Sequence, residues 1–272
     1  MIVTTHLFPI LDAKLIELLR SLTPEEWQKP TLAKQWAVKD IAAHLLDTNV
    51  RSLAARDNHF VRLEVNINSY NDLVNYLNQL NAEWVTAARR ISPQVLTDFL
   101  EDTGKQYSSY IATLDMNADA PYSVAWAGEE RSAMWFHVAR EYTEKWHHQQ
   151  QIRQATGKEG IMTRELFYPC IDTFLCGLPH TYRNTTAPEG MVIKITIDTT
   201  IGGNWYLIYK STGWMITKIK HENPAAIITF PPDVAWKLFT KGITAQEAKQ
   251  RVTFNGDEHL AKVVLDLVAV IA

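Results

Sequence analysis

The stretch REYTEKWHHQQQIRQATG, residues 140–157, concentrates side chains that bind cations or move protons. At about 100° per residue, a helix places His137, Glu141, Glu144, His148 and Gln151 in one stripe. The stripe borders an apolar face made by Trp135, Val138, Ala139, Tyr142 and Trp146. His147 falls elsewhere on the wheel, near Phe136 and Arg140, so the two adjacent histidines are not equivalent. A carboxylate and an imidazole four residues apart can point at one divalent ion, and helical bundles build metal sites from facing helices. Two pairs qualify, His137 with Glu141 and Glu144 with His148, and spacing does not choose between them. The plainer reading is a solvated face with a Glu141–Lys145 ion pair at i,i+4. A metal site also needs a third ligand from another helix. His44, in WAVKDIAAHLLD, lies on the flank of the apolar face formed by Val38, Ala42 and Leu45. Asp40 and Asp47 lie near that face and suit helix-end and surface roles equally well.

Helices must position these side chains, and the apolar spacing supplies them. Before about residue 185, apolar residues recur mostly at three- and four-residue intervals. The pattern predicts helices near 7–21, 37–56, 69–91 and 132–156, the last ending at Gly157. A further helix near 163–181 carries Pro169 and Pro179 and is expected to be kinked or broken. Between 95 and 128 the pattern is weak, compatible with strand-like pieces or a long loop. After 185 the period becomes two. In MVIKITIDTT, Met191, Ile193, Ile195 and Ile197 share one face, opposite Lys194, Thr196 and Asp198. IGGNWYLIY, GWMITKI, AAIITF and RVTF repeat the strand chemistry. Pro231-Pro232 opens a helix through Leu238, and EHLAKVVLDLVAVIA reads as a final helix. The chain is therefore expected to be a helical bundle over 1–184 followed by a small α+β domain over 185–272, joined at RNTTAPEG.

The 272 residues suit one large domain or two modest ones, and 46% hydrophobic content supplies a core for either. A net charge of −3, without a Lys/Arg run, argues against a nucleic-acid partner. No apolar run reaches a membrane span, and the N-terminus reads as the first helix of the fold rather than a signal peptide. Cys170 and Cys176 match no metal or redox spacing. Read as buried free thiols, they fit a cytoplasmic location.

LTPEEWQKPTLAKQWAVKDIAAHLLDTN resembles the opening of the DinB-like, mycothiol-dependent maleylpyruvate isomerase family. The residues that carry the resemblance are Leu22, Thr23, Trp27, Trp36, Val38, Asp40 and His44. A Glu-x-x-x-His signature on a later bundle helix is matched by Glu144 and His148. GLPHTYR at 177–183 resembles the end of the family's first domain, and GGNWYLIYKSTGWMIT with the last fifty residues resembles its sterol-carrier-like C-terminal domain. The chain departs from the pattern at Gln35 and Ala37, where the family often has Gly and Thr. Losing a Thr N-cap costs about 1 kcal/mol of helix stability.

The resemblance implies a DinB-like four-helix bundle followed by a small α+β sterol-carrier-like domain. It implies metal ligation by His44, Glu144 and His148, which selects the second helical pair. Two imidazoles and a carboxylate suit zinc with an open fourth position, and nickel or iron as well. The implied activity is a thiol-dependent isomerase or S-transferase acting on an electrophilic small molecule, with mycothiol or bacillithiol as cofactor. The resemblance assigns no catalytic side chain, the reactive group being a metal-bound thiol or water. Two other readings stand beside it: a non-enzymatic metal-binding bundle, and a carrier of an apolar ligand. Trp205, Tyr206, Trp214 and Trp236 would either line such a carrier pocket or form the core of the sheet.

Overall fold

The computed structural model of the chain describes residues 1–59 and 67–271, a helical N-terminal region followed by a small mixed sheet domain. Helix α1 (Phe8–Arg20) follows a 3-10 turn and carries a proline in its first turn, where the missing N–H costs nothing. Helix α2 (Val38–Arg56) starts at Ala37, whose backbone N–H donates to Asp40 Oδ2 at 3.0 Å. With alanine at the cap, only this reach-back half of a capping arrangement is made. Helix α3 (Tyr70–Ala88) is capped by Ser69, whose hydroxyl accepts from Asp72 N–H.

The first part of the segment with the weak pattern is a full helix, α4 (Pro93–Ile111), capped by Ser92 with Pro93 in the first turn, while 112–128 is loop with a short 3-10 turn at Ala125–Ala127. Its buried face is Leu96, Thr97, Leu100, Gly104, Tyr107 and Ile111. A threonine and a glycine sit on that face while Val95 and Phe99 are exposed, so apolar residues do not trace the helix. Gly104 is there because a Cβ would lie 2.9 Å from Asp12 Oδ2.

Helix α5 (Met134–Thr156) is followed by α6 (Arg164–Leu175) and α7 (Leu178–Thr181). Pro169 is accommodated inside α6, and the break falls at Cys176–Gly177. Strands β1 (Val192–Ile197), β2 (Gly203–Lys210), β3 (Gly213–Thr217), β4 (Ala226–Phe230) and β5 (Thr253–Gly256) form one sheet in the order β3-β2-β1-β4-β5. Only the β1–β4 pairing is parallel; the β2–β3 hairpin lies within the connection it needs. Helices α8 (Pro232–Phe239) and α9 (Ala245–Lys249) separate β4 from β5, and α10 (Glu258–Lys262) follows β5. The final helix is shorter than expected: after α10 comes a 3-10 turn, Val263–Asp266, and then irregular chain, with Ala272 outside the described residues.

Two compact units emerge. One comprises residues 4–116 and 144–161, with a core that includes Leu15, Leu19, Trp27, Ile41, Leu45, Leu100 and Ile152. Within it α4 packs on α1 and α2, and α3 packs on α2. The other comprises 1–3, 117–143 and 162–271 and holds the sheet. In that unit Asp172 of α6 is buried, accepting from Trp205 Nε1 at 2.7 Å and from Lys218 Nζ. Trp205, Tyr206, Trp214 and Trp236 are all buried side chains of this unit. Among the described residues, no helix is long and apolar enough to cross a membrane.

Candidate metal centre

Helix α5 does not carry a solvated polar face. Glu141, Thr143, Lys145, His147, His148, Gln149, Gln151, Arg153 and Thr156 are all buried. Buried polar groups cost free energy unless partnered, so what each one meets decides what the helix can do. Lys145 donates to Asp12 of α1 at 2.8 and 3.0 Å rather than pairing with Glu141. Glu141 instead accepts from Arg140 at 2.5 Å. Arg153 donates to the Lys14 carbonyl at 2.9 Å and to the Glu159 carbonyl.

His137 is drawn into the Arg140 cluster. Arg140 Nη2 lies 3.0 Å from His137 Nδ1, which must accept because guanidinium only donates. Burial, opposed by Glu141 and assisted by Arg140, pushes the His137 imidazole down to about 4. This pair thus meets an arginine on its own helix, and no third ligand joins it among the described residues.

The other pair meets α2. The ligand atoms of His44, Glu144 and His148 all lie within 4.8 Å of one another, and this is the one such His/Cys/Asp/Glu group among the described residues. His148 Nε2 is 3.5 Å from Glu144 Oε2, and the His44 and His148 rings are 4.7 Å apart at 73°. Two ligands 2.0–2.1 Å from a tetrahedral zinc are separated by about 3.3 Å. The helical pair is close to that spacing at 3.5 Å, and no separation within the group exceeds 4.8 Å. Both imidazoles are buried, while Glu144 retains 23% side-chain exposure. Burial, and then the neighbouring His148, holds His44 well below the usual histidine range against the opposite pull of Glu144. A neutral imidazole offers a lone pair without first releasing a proton.

Three neighbours complete the site. The Trp36 ring lies 4.9 Å from His44 and 6.1 Å from His148. Its loop is fixed by Trp36 N–H to the Ala33 carbonyl at 2.7 Å and by Thr31 Oγ1 to the Trp36 carbonyl at 2.8 Å. Gln151 Oε1 lies 2.9 Å from His148 Nδ1. His147 is also buried, its ring 4.0 Å from that of His148, so its position off the ligand stripe does not put it in solvent. His44 Nδ1 is buried with no hydrogen-bond partner among the described residues. A buried imidazole with an unpartnered nitrogen, packed near a second imidazole and a carboxylate, belongs to a donor set that suits a divalent cation.

Asp40 and Asp47 stay outside this group. Asp40 caps α2, and Asp47 is buried and paired with Arg51 at 3.0 Å. Neither cysteine forms a disulfide among the described residues; Cys170 is buried, and burial pushes the Cys176 thiol up to about 12. Sequence spacing alone signalled neither the packing of Trp36 against the imidazoles nor the Lys145–Asp12 pair. Gln151 was visible as the next member of the ligand stripe.

Comparison with known proteins identifies the family. The family model described as mycothiol maleylpyruvate isomerase N-terminal domain matches residues 8–153, more than half of the chain. Two crystal structures, of a mycothiol-dependent maleylpyruvate isomerase and of a histidine-to-alanine mutant, are similar in fold. Their TM-scores are 0.54 and 0.52, each at 9% identity and covering 92% of this chain and 91% of that one. Among curated proteins no sequence matches the chain significantly.

Proposed function

Because this chain belongs to the family of the mycothiol maleylpyruvate isomerase N-terminal domain, we propose that it is a metal-dependent enzyme working with a low-molecular-weight thiol. Its reaction is isomerisation of, or sulfur transfer to, an electrophilic small molecule. The observation that carries this reading is the convergence of His44, Glu144 and His148 from two helices. These three residues would hold the cation, zinc by preference, with nickel or iron also suited to two imidazoles and a carboxylate. When bound, the cation supplies Lewis acidity that makes a small thiol such as mycothiol or bacillithiol nucleophilic near neutral pH.

The chain's own residues prepare that chemistry. His44 is kept neutral by burial, so it competes weakly for protons. Glu144 brings the negative charge and is the most exposed of the three, which supports an approach for small molecules from its side. Trp36 lays an apolar ring against both imidazoles and keeps water from that flank. With the Cys176 thiol raised to about 12 and Cys170 buried, the nucleophilic sulfur is expected to come from the cofactor.

The test is to load the protein with zinc, strip it, and assay mycothiol, bacillithiol and glutathione against maleylpyruvate and halo-dinitrobenzenes. Turnover should require both metal and thiol, and Glu144→Gln should abolish it while leaving the circular dichroism spectrum unchanged. Thiol-independent turnover would refute the reading. Zinc-loaded protein inert with all three thiols would return the centre to a non-enzymatic metal-binding role, and co-purified lipid would favour a carrier.

A further inference from the structure

The two candidate imidazoles are held differently. His44 is packed on Trp36 with nothing bonded to its Nδ1 among the described residues. His148 is gripped from one turn further along its own helix, with Gln151 Oε1 2.9 Å from Nδ1. Gln151 is itself buried, at 4% exposure. An amide oxygen only accepts, so the ring nitrogen facing it must carry the proton. In a neutral imidazole the other nitrogen then holds the lone pair. That other nitrogen is Nε2, the atom 3.5 Å from Glu144.

We propose that Gln151 is the positioning residue of the candidate metal centre: its amide oxygen holds the proton on His148 Nδ1 and presents Nε2, unprotonated, toward Glu144 and His44. The inference rests on the metal reading above and adds the device that makes one ligand ready before any cation arrives. Without Gln151 the ring is free to flip, or to take the Nε2–H tautomer, which would aim a proton at the place where a lone pair is needed. Zinc-bound histidines generally use such a second partner, most often a carboxylate or a carbonyl. Here the partner is an uncharged amide three residues on, so it fixes the tautomer without adding a second negative charge beside Glu144.

Two readouts test this, and the first needs no metal. In histidine-labelled, metal-free protein above the imidazole titration range, nitrogen NMR should show His148 Nδ1 pyrrole-like and Nε2 pyridine-like. The resonances are assigned by their loss in His148→Gln. In Gln151→Leu and Gln151→Met the pattern should move toward the Nε2–H form. In the second readout, zinc affinity by chelator competition should fall about 10- to 100-fold in both variants. Gln151→Glu, which still accepts, should keep the Nδ1–H tautomer and hold affinity within about tenfold of wild type. A wild-type His148 protonated on Nε2 would overturn the proposal, as would an unchanged tautomer in both apolar variants. Gln151→Met alone decides the point if Gln151→Leu fails to fold. If the tautomer switches as stated but wild-type protein takes up no zinc, the metal reading fails and the Gln151 contact stands. Normal zinc uptake with an unmoved tautomer overturns the positioning role and leaves the metal reading standing.

Discussion

Asp12→Asn is expected to destabilise the helical unit by about 3 kcal/mol, from the low end of the range for stranding one member of a buried ion pair. Lys145 has only 4% side-chain exposure, and its ammonium bonds both oxygens of Asp12 at 2.8 and 3.0 Å. It also lies over the face of Tyr107, 4.8 Å from the ring centre, a contact of about 1 kcal/mol that the variant keeps and that does not replace the carboxylate. The asparagine side chain keeps one acceptor and the shape, but the buried ammonium loses the carboxylate it touches. Lys145→Met should cost less, because the stranded Asp12 carboxylate has 14% exposure and reaches some solvent. The double variant should recover much of the loss. In a unit of this size each kcal/mol moves the melting temperature by roughly 2–4 °C, so Asp12→Asn should melt roughly 6–12 °C below wild type. Thermal denaturation of the four proteins in the cycle yields the coupling energy directly. The reasoning fails if Asp12→Asn lies within about 1 kcal/mol of wild type, or if the two single losses simply add.

The remaining expectations concern the ligands, the pH response and the chain's division. His148→Ala should lower zinc affinity at least about tenfold and His147→Ala by less than about threefold, read by chelator competition; equal losses would mean the wrong neighbour was chosen. His137 is neutral in the folded protein, with its pKa held at about 4 against 6.5 unfolded, so the unfolded chain binds more protons between those values. Its contribution is therefore complete above the upper value and declines as pH falls toward the lower one. From about pH 7.5 to pH 5, wild type should lose about 2 kcal/mol that His137→Gln does not, measured by urea midpoints; parallel pH profiles would refute the assignment. The proposed boundary between 1–184 and 185–272 predicts first proteolytic cleavage at 184–190, where Asn184, Thr186, Pro188, Glu189 and Gly190 are exposed. The Asp172 contacts to Trp205 and Lys218 should keep the two fragments together until denaturant is added, whereas an early cut inside α5 would argue for a different division.

The alternation of Ile193, Ile195 and Ile197 was enough to announce a strand, because side chains two apart in an extended chain must share a face. The same logic made Glu144 and His148 neighbours before any fold was known, since four residues bring a helix back over itself. Local sequence failed at α4 because its core face spends two positions on Thr97 and Gly104, and the reason for Gly104 is a carboxylate from α1. It failed again at Lys145, where an i,i+4 glutamate was available and Asp12, 133 residues away in sequence, took the contact instead.

The candidate centre divides in the same way. One helix fixes which of its own residues share a face, and so offered two equivalent pairs. Choosing between His137–Glu141 and Glu144–His148 required knowing what stands opposite each, which depends on the rotation and axial register of packed helices. Family resemblance pointed to His44, and the tertiary structure places its imidazole 4.7 Å from that of His148 while Arg140 occupies the other pair. Burial was the other decision left to packing: a helix dense in His, Glu, Gln, Lys and Arg reads as solvated until its partners are seen. Periodicity follows from bonds within one element, whereas ligand sets, buried charges and their partners arise from contacts between elements distant along the chain.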